Sequence, residues 1–406
     1  MIFSRFSFVA LVLTASWTVF SCGEKDESKN EKTSNAEDSL RQEKLEEKPK
    51  EAPFFVLEKR VNKDLDPLAS FLAGQPQTET NTYQGYQENK AWKSYQAKAE
   101  QLWSKNKKAK FETMRNWAKQ ELAAPNAAGG LLFYPFSGAD FIHADLFFPD
   151  ADQYLLIGLE PIGSLPNMEQ IQKTALGPYL NSIERAMHYL LSLSFFRTKS
   201  MEVDLTGKVN KHLDGTLPLL MVFMKRFDNE VLYYERVAVS AEGKLIAEEA
   251  YQKPVGKDTT IYGTKLTLRR KGEEKIRTLY YFSADLSNAG LQKRPDFTAF
   301  LNNLRPKSVY IKSASYLMYK EYFANIRNIV LQHTPLKYFS KVDWDIQLYG
   351  AYSRPIDLFK NYYQKDLHNL YQGKDKDYSP KPLPFGIGYQ YREGTSNLML
   401  AVRKKR

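Results

Sequence analysis

The sequence predicts an α/β or α+β fold: a mixed β-sheet flanked by helices, preceded by a helical N-terminal arm and a disordered N-terminal tether. Three observations carry this expectation. Some segments repeat apolar residues at helical spacing, as Leu180, Ile183, Met187, Leu190 and Leu191 do. Others alternate with period two: Val342, Trp344, Ile346 and Leu348 are interleaved with Asp343, Asp345 and Gln347. Both kinds of segment are interspersed from Leu131 onwards, in a stretch of 354 residues from Pro53 to Arg406 that no low-complexity linker divides. No repeat of fixed period is present.

The chain opens with one positive charge, Arg5, and an apolar run from Phe8 to Leu13 that continues through Trp17, Val19 and Phe20. That run is too short to span a bilayer, which takes roughly 20 residues. A basic front, an apolar middle and small residues at the end read as a targeting signal. Ser21 and Cys22 follow, and Cys22 is the only cysteine among 406 residues. Val19, Ser21 and Cys22 make residues 1–21 resemble a bacterial lipoprotein signal peptide, although Phe20 is bulkier than the residue usual at its position. The resemblance implies cleavage before Cys22, lipidation of its thiol (palmitate among the chains) and anchoring to the outer membrane, periplasmic or surface-exposed. Each buried methylene contributes about 0.8 kcal/mol, so two or more chains hold stably. Gly23 rather than Asp follows the cysteine, unlike the retention signal of inner-membrane lipoproteins. The Lys25-Asp26-Glu27 cluster resembles acidic surface-export signals.

Residues 22–52 are expected to form the tether. Gly23–Ala52 holds 10 acidic and 7 basic residues, no aromatics, and only Leu40 and Leu45 as large aliphatics. Such a segment buries too little apolar area to offset its ordering entropy.

Residues 53–130 read as the helical arm. Asp66-Pro67 with Leu68, Phe71, Leu72 and Gly74 suggests a short helix with Asp66 as N-cap and Pro67 at its first position. Trp92, Tyr95, Ala99 and Leu102 share a helical face, and so do Phe111, Met114 and Trp117. Ala123–Gly130 reads as a break.

Residues 131–406 read as the body. Strands are expected at Leu131–Phe136, Tyr154–Leu159, Val231–Val239, Leu245–Ala250, Leu266–Leu268, Ile276–Phe282 and Val309–Ile311. Helices are expected at Ala139–Phe148, Met168–Phe196 with a break at Gly177-Pro178, Leu217–Arg226, Phe297–Leu304 with Asp296 as N-cap, Tyr322–Gln332 and Leu358–Tyr371. The chain ends in an expected hairpin, Phe385–Tyr391 with Leu398–Val402, across Gly394.

The formal net charge is +11. The signal segment contributes one positive charge and the tether a net −3, which leaves +13 on the remainder. A basic body often means nucleic acid, but the export signal argues against that partner. Anionic headgroups or acidic glycans are the natural alternatives. The densest basic clusters are Lys105–Lys110 and Arg403–Arg406, and a generally lysine-rich, solvated surface is the other reading of this charge. With 26 Tyr, 24 Phe and 5 Trp, aromatic contact with a sugar is one reading, and filling of strand positions is the other.

The densest candidate for chemistry runs from Tyr134 through Pro135, Phe136, Ser137, Gly138, Asp140 and His143 to Asp145, at a strand-to-helix junction. Ligands in α/β folds bind where strands end. Asp140 and His143, three apart, face one side of a helical turn. With Asp145 or Glu160 they make a candidate acid/base or cation-binding group. Ser137-x-x-Asp140 equally reads as a capping box, which explains both residues without a ligand. Glu160, within Gly158-Leu159-Glu160-Pro161, is held extended by Pro161. Lys312 and Ser313 mark a second junction, whose Lys and hydroxyls suit an anion and are explained equally by capping and solvation. No spacing matches a zinc motif, a P-loop, a GxSxG elbow or CxxC, so no catalytic residue, metal or cofactor is assigned. The Tyr-Pro-Phe-Ser-Gly-x-Asp and Gly-Leu-Glu-Pro stretches are similar to those of a group of bacterial envelope proteins, a resemblance that implies no particular activity.

The sequence therefore points to a lipid-anchored envelope protein that binds a glycan, an anionic surface component or a protein outside the cytoplasm. An envelope hydrolase with a carboxylate- or metal-based site is the alternative, and a structural or adhesive surface protein the third reading.

Overall fold

The computed structural model describes residues 60–77, 81–193, 213–251, 260–306, 308–312, 344–353, 365–374, 378–388 and 393–404. Cys22, the tether, Ser313 and the expected helix Tyr322–Gln332 lie outside the described residues.

In chain order, α1 (Leu65–Leu72), α2 (Gln84–Gln87) and α3 (Lys90–Asn106) lead through a π-turn at Lys107–Phe111 into α4 (Glu112–Glu121) and α5 (Ala123–Ala127). β1 (Leu131–Tyr134), α6 (Phe141–Phe147) and β2 (Gln153–Gly158) follow, then α7 (Met168–Thr174), α8 (Leu176–Leu193) and α9 (Leu217–Arg226). β3 (Asn229–Val239), β4 (Leu245–Ala247), β5 (Tyr262–Arg270) and β6 (Ile276–Ser283) come next. After α10 (Asn288–Gln292), α11 (Pro295–Asn303) and β7 (Ser308–Lys312), the described elements end with β8 (Trp344–Gly350), α12 (Lys365–Tyr371) and β9 (Asn397–Arg403).

The nine strands form one sheet in the order β4-β3-β5-β6-β2-β1-β7-β9-β8. Its centre is parallel: β6, β2, β1 and β7 run the same way. Both wings are antiparallel. The expected mixed sheet with flanking helices is what the chain forms.

Alternation sorts side chains to two faces. Leu132, Tyr134, Tyr154 and Leu156 belong to one apolar core with α1, α3, α4, α6, α8 and α9. Leu131, Phe133, Leu155 and Ile157 belong to another with α10, α11 and α12. Burial on both faces is why the central strands read as unbroken apolar runs rather than clean alternations. The described residues belong to one contact unit, Ala52–Arg406, and no helix among them is long and apolar enough to cross a membrane.

Local expectations fail where a tertiary partner outbids a cap. Asp66 is not an N-cap: it lies inside the first turn of α1, whose cap position is Asp64. Its Oδ1 accepts from Val231 N at 2.9 Å and from Lys225 Nζ at 2.8 Å instead. Asp296 likewise falls inside the first turn of α11, after Arg294. The break at 123–130 holds the short helix α5 before Gly129 and Gly130 turn the chain. The long helix divides at Ala175, so that Gly177-Pro178 sits in the first turn of α8. Phe385–Gly388 forms no named strand, and β9 inserts between β7 and β8 rather than closing the expected hairpin. Lys110, within a basic cluster, hydrogen-bonds the carbonyls of Leu191 and Ser192 at the end of α8. Burial pulls its amine below the usual lysine range.

Candidate functional site

The Tyr134–Asp145 segment and the Glu160 turn meet at the carboxyl ends of β1 and β2, which are parallel neighbours. β1 stops at Tyr134. Phe136 then takes φ +60° and Gly138 φ +61°, a left-handed geometry that costs a bulky residue roughly 1–2 kcal/mol. The turn persists because β2 staples it. Ser137 N and Gly138 N both donate to Ile157 O, at 2.9 and 3.2 Å. Ser137 Oγ donates to Gly138 O at 2.6 Å and accepts from Ile157 N at 3.0 Å. The serine hydroxyl is thus spent on the turn. The expected capping box is not formed: Asp140 itself caps α6, accepting from His143 N at 3.3 Å.

Asp140, His143 and Tyr134 are brought together. The Asp140 carboxylate accepts from His143 Nδ1 at 2.8 Å and from Tyr134 Oη at 2.8 Å. A carboxylate can only accept, so Nδ1 carries the shared hydrogen. Burial, and then the Asp140 charge, push the Tyr134 phenol well above its ordinary range. The same two causes raise Tyr310, whose ring centroid lies 4.6 Å from that of Tyr134. An Asp–His pair of this geometry has the parts of a general base. It lacks access: Asp140 and His143 are each only 3% exposed, and the imidazole lies against Phe147, which stacks on Phe385.

Glu160 forms a second buried group. Tyr281 Oη donates to its carbonyl at 2.8 Å and to Oε2 at 3.4 Å. Its carboxylate fills the space beside Gly158, where an added Cβ would also meet Gly138 Cα at 2.5 Å. Glycine at 158 is therefore required by close approach of the two turns. Burial, and then the Glu160 charge, raise the Tyr281 phenol.

Asp145 belongs to a different environment. It accepts from Arg270 Nη2 at 2.8 Å. Burial raises its carboxyl above the ordinary range, outweighing the attraction of Arg270, Arg115 and Arg277. Lys312 ends β7, opposite Leu398. Among the described residues no group of three or more His, Cys, Asp or Glu is placed to hold a metal ion.

Sequence reasoning missed the open polar clefts. One, of about 440 Å³, sits at the carboxyl edge of the sheet and is lined by Ser164, Asp214, Arg236, Tyr262, Ser283 and Arg294. Another, of about 550 Å³, lies over Asp145 with Arg115, Lys119 and Arg270. A third, of about 620 Å³, is formed by α1, the end of α9, the start of β3 and the β5–β6 turn. Each draws on residues far apart in the chain, which no local motif can signal. Comparisons with protein-family models, with curated proteins and with solved structures return no match.

Proposed function

We propose that the chain is a lipid-anchored cell-envelope protein whose α/β body binds a ligand outside the cytoplasm and does not turn over a substrate at the Asp140–His143 pair. One observation carries the choice of binding over catalysis. The Asp140 carboxylate is 3% exposed and committed to His143 and Tyr134, while the solvent-facing clefts are lined with hydrogen-bonding groups. General-base catalysis needs the base within hydrogen-bond reach of a substrate, and a helix cap buried under aromatic rings does not offer that. The carboxyl-edge cleft has the position where open α/β sheets bind ligands. Its Arg236 and Arg294 suit an anionic surface component or an acidic glycan.

The membrane half of the reading rests on Cys22 and the apolar run before it. Radiolabelled palmitate should enter the wild-type chain and not Cys22→Ala. Protease applied to intact cells then separates surface display, where the body is cut, from the periplasmic side, where it is protected. Label retained by Cys22→Ala would remove the anchor. Loss of ligand retention from envelope preparations on Arg294→Ala would support the carboxyl-edge cleft, and unchanged retention would remove it.

A further inference from the structure

The exposed cations along α3 and α4 divide into two groups. Within α3, Lys93 pairs with Glu88 at 2.7 Å and Lys98 with Glu184 at 3.2 Å. Past the end of α3, Lys107, Lys108, Arg115 and Lys119 are exposed, and none of them forms an ion pair among the described residues. Lys110 is spent on the carbonyls that end α8. Glu112 is the one acid between Lys105 and Lys119.

The π-turn decides where these charges point. Its bonds run from i to i+5, and Glu112 N closes it on Lys107 O. Trp103 and Phe111 stand eight residues apart across the turn, and both pack on Phe227. Lys107 and Arg115 have the same spacing across the same turn, so they too share a face. Arg115 and Lys119 are neighbours four apart on α4, and both line one cleft. Lys108 adjoins Lys107. Trp103, Phe111, Met114 and Trp117 are buried on the side turned to the core. The outcome is a basic stripe along roughly 18 Å of helix.

The cleft beside the stripe does not share this charge. Its Arg270 is matched by Asp145, and Asp150 and Asp228 also line it. The stripe sets four cations against Glu112, and all five are exposed, so its field acts outward on whatever lies against the helix.

We propose that this stripe is the surface by which the body lies on anionic phospholipid headgroups. Each Lys or Arg held near such a surface raises affinity by about fivefold. Trp103, Phe111 and Trp117 are buried, so no ring of this stretch is left to stack on a sugar. No large apolar residue of the stretch is exposed either, so the attachment is electrostatic and without insertion. An acyl anchor and a polybasic patch reinforce one another at a membrane. The choice of a lipid surface over a soluble polyanion rests on the anchored reading, whereas the stripe itself does not.

Vesicle cosedimentation of the mature chain with Cys22→Ala tests this, since no acyl group then holds the chain to lipid. The probes are vesicles of phosphatidylcholine alone, vesicles with about 30% phosphatidylglycerol, and soluble polygalacturonate. At about 0.1 M salt the chain is expected to bind the anionic vesicles and to leave the neutral ones. The variant Lys107→Gln/Lys108→Gln/Arg115→Gln/Lys119→Gln is expected to bind more than about hundredfold more weakly. A reference variant of equal net charge is Lys244→Gln/Arg305→Gln/Lys365→Gln/Lys374→Gln. Its residues are exposed and flank elements of the second core. It should stay within about threefold of wild type, because charges beyond a Debye length of about 10 Å are screened. Unaltered thermal midpoints in both variants show that the fold is kept. The proposal is overturned if neutral vesicles bind as well as anionic ones, if the stripe variant binds like wild type, or if the reference variant loses as much. It is also overturned if polygalacturonate binds more tightly than the anionic vesicles. Palmitate labelling of the wild-type chain separates the two readings. Label at Cys22 with blank vesicle binding removes the stripe and leaves the anchor, and binding to anionic vesicles without label at Cys22 removes the anchor and leaves the stripe.

Discussion

Asp140 and Asp145 stand five residues apart around one short helix, and both are 3% exposed. One is tied to an imidazole and a phenol within the aromatic core, the other to a guanidinium that also lines an open cleft. The Arg270 side chain keeps 24% of its surface exposed, against 4% for His143. Equal burial of a carboxylate therefore hides unequal access to water for its partner. Water can take over part of what Arg270 does for Asp145, whereas only protein groups surround Asp140. That contrast separates a structural cap from a charge pair at the edge of a potential site.

Removing Asp140 should have the largest effect. Asp140→Ala strips the cap from α6 and removes the acceptor shared by His143 and Tyr134, and breaking a buried pair of this kind costs about 3–5 kcal/mol. Urea unfolding would show it as a lower midpoint. A loss under about 1 kcal/mol would mean that the interior tolerates an open imidazole, and the reading of Asp140 as a cap would fall.

Arg270→Ala should cost less, about 2–3 kcal/mol, because the cleft admits water to the stranded Asp145. The sign of the pH dependence is a sharper test. The folded Asp145 carboxyl is raised, so from the ordinary value of about 3.9 up to the raised value the folded chain holds a proton that the unfolded chain has released. Stability contributed by this group is then greatest in acid and declines as pH rises through that window. Unfolding midpoints of wild type and Asp145→Asn, followed from about pH 4 to pH 7, should diverge in favour of the Asn variant. A gap that stays constant, or opens the other way, would show that Arg270 outweighs burial.

The same contrast explains what was legible in the sequence. Leu217–Arg226 forms a helix over those residues, and the strands around 131 and 154 are in place to within two residues, because apolar periodicity is a local signal written by the core. The approach of Tyr134, Asp140 and His143 was legible for the same reason, as all three lie within ten residues. Their use was not. Ser137 was free to cap in the sequence, and it is Ile157, twenty residues away, that claims its hydroxyl. Asp66 looked like a cap until Val231 and Lys225, about 160 residues on, took its carboxylate. The partners Arg270 of Asp145 and Tyr281 of Glu160 were invisible for want of any spacing rule across the sheet.

Smaller effects test how tightly the turn after β1 is held. Gly158→Ala would force its Cβ to within 2.5 Å of Gly138 Cα, where backbone must give way, and overpacking of this sort costs about 1–3 kcal/mol. An unchanged midpoint would show that the two turns have room to part. Phe136→Gly should have the smallest effect, because two terms oppose. Glycine removes the strain of φ +60° at residue 136, a gain of roughly 1–2 kcal/mol, and it forfeits a half-buried ring packed on the second core, a loss of similar size at about 1.5 kcal/mol. The net change in unfolding free energy should lie within about 1 kcal/mol of zero. A clear gain would mean that the ring adds little and that the chain holds a strained residue there for something other than stability. A clear loss would mean that Phe136 pins the turn to the core, and that Ser137 and Gly138 depend on it for their place beside β2.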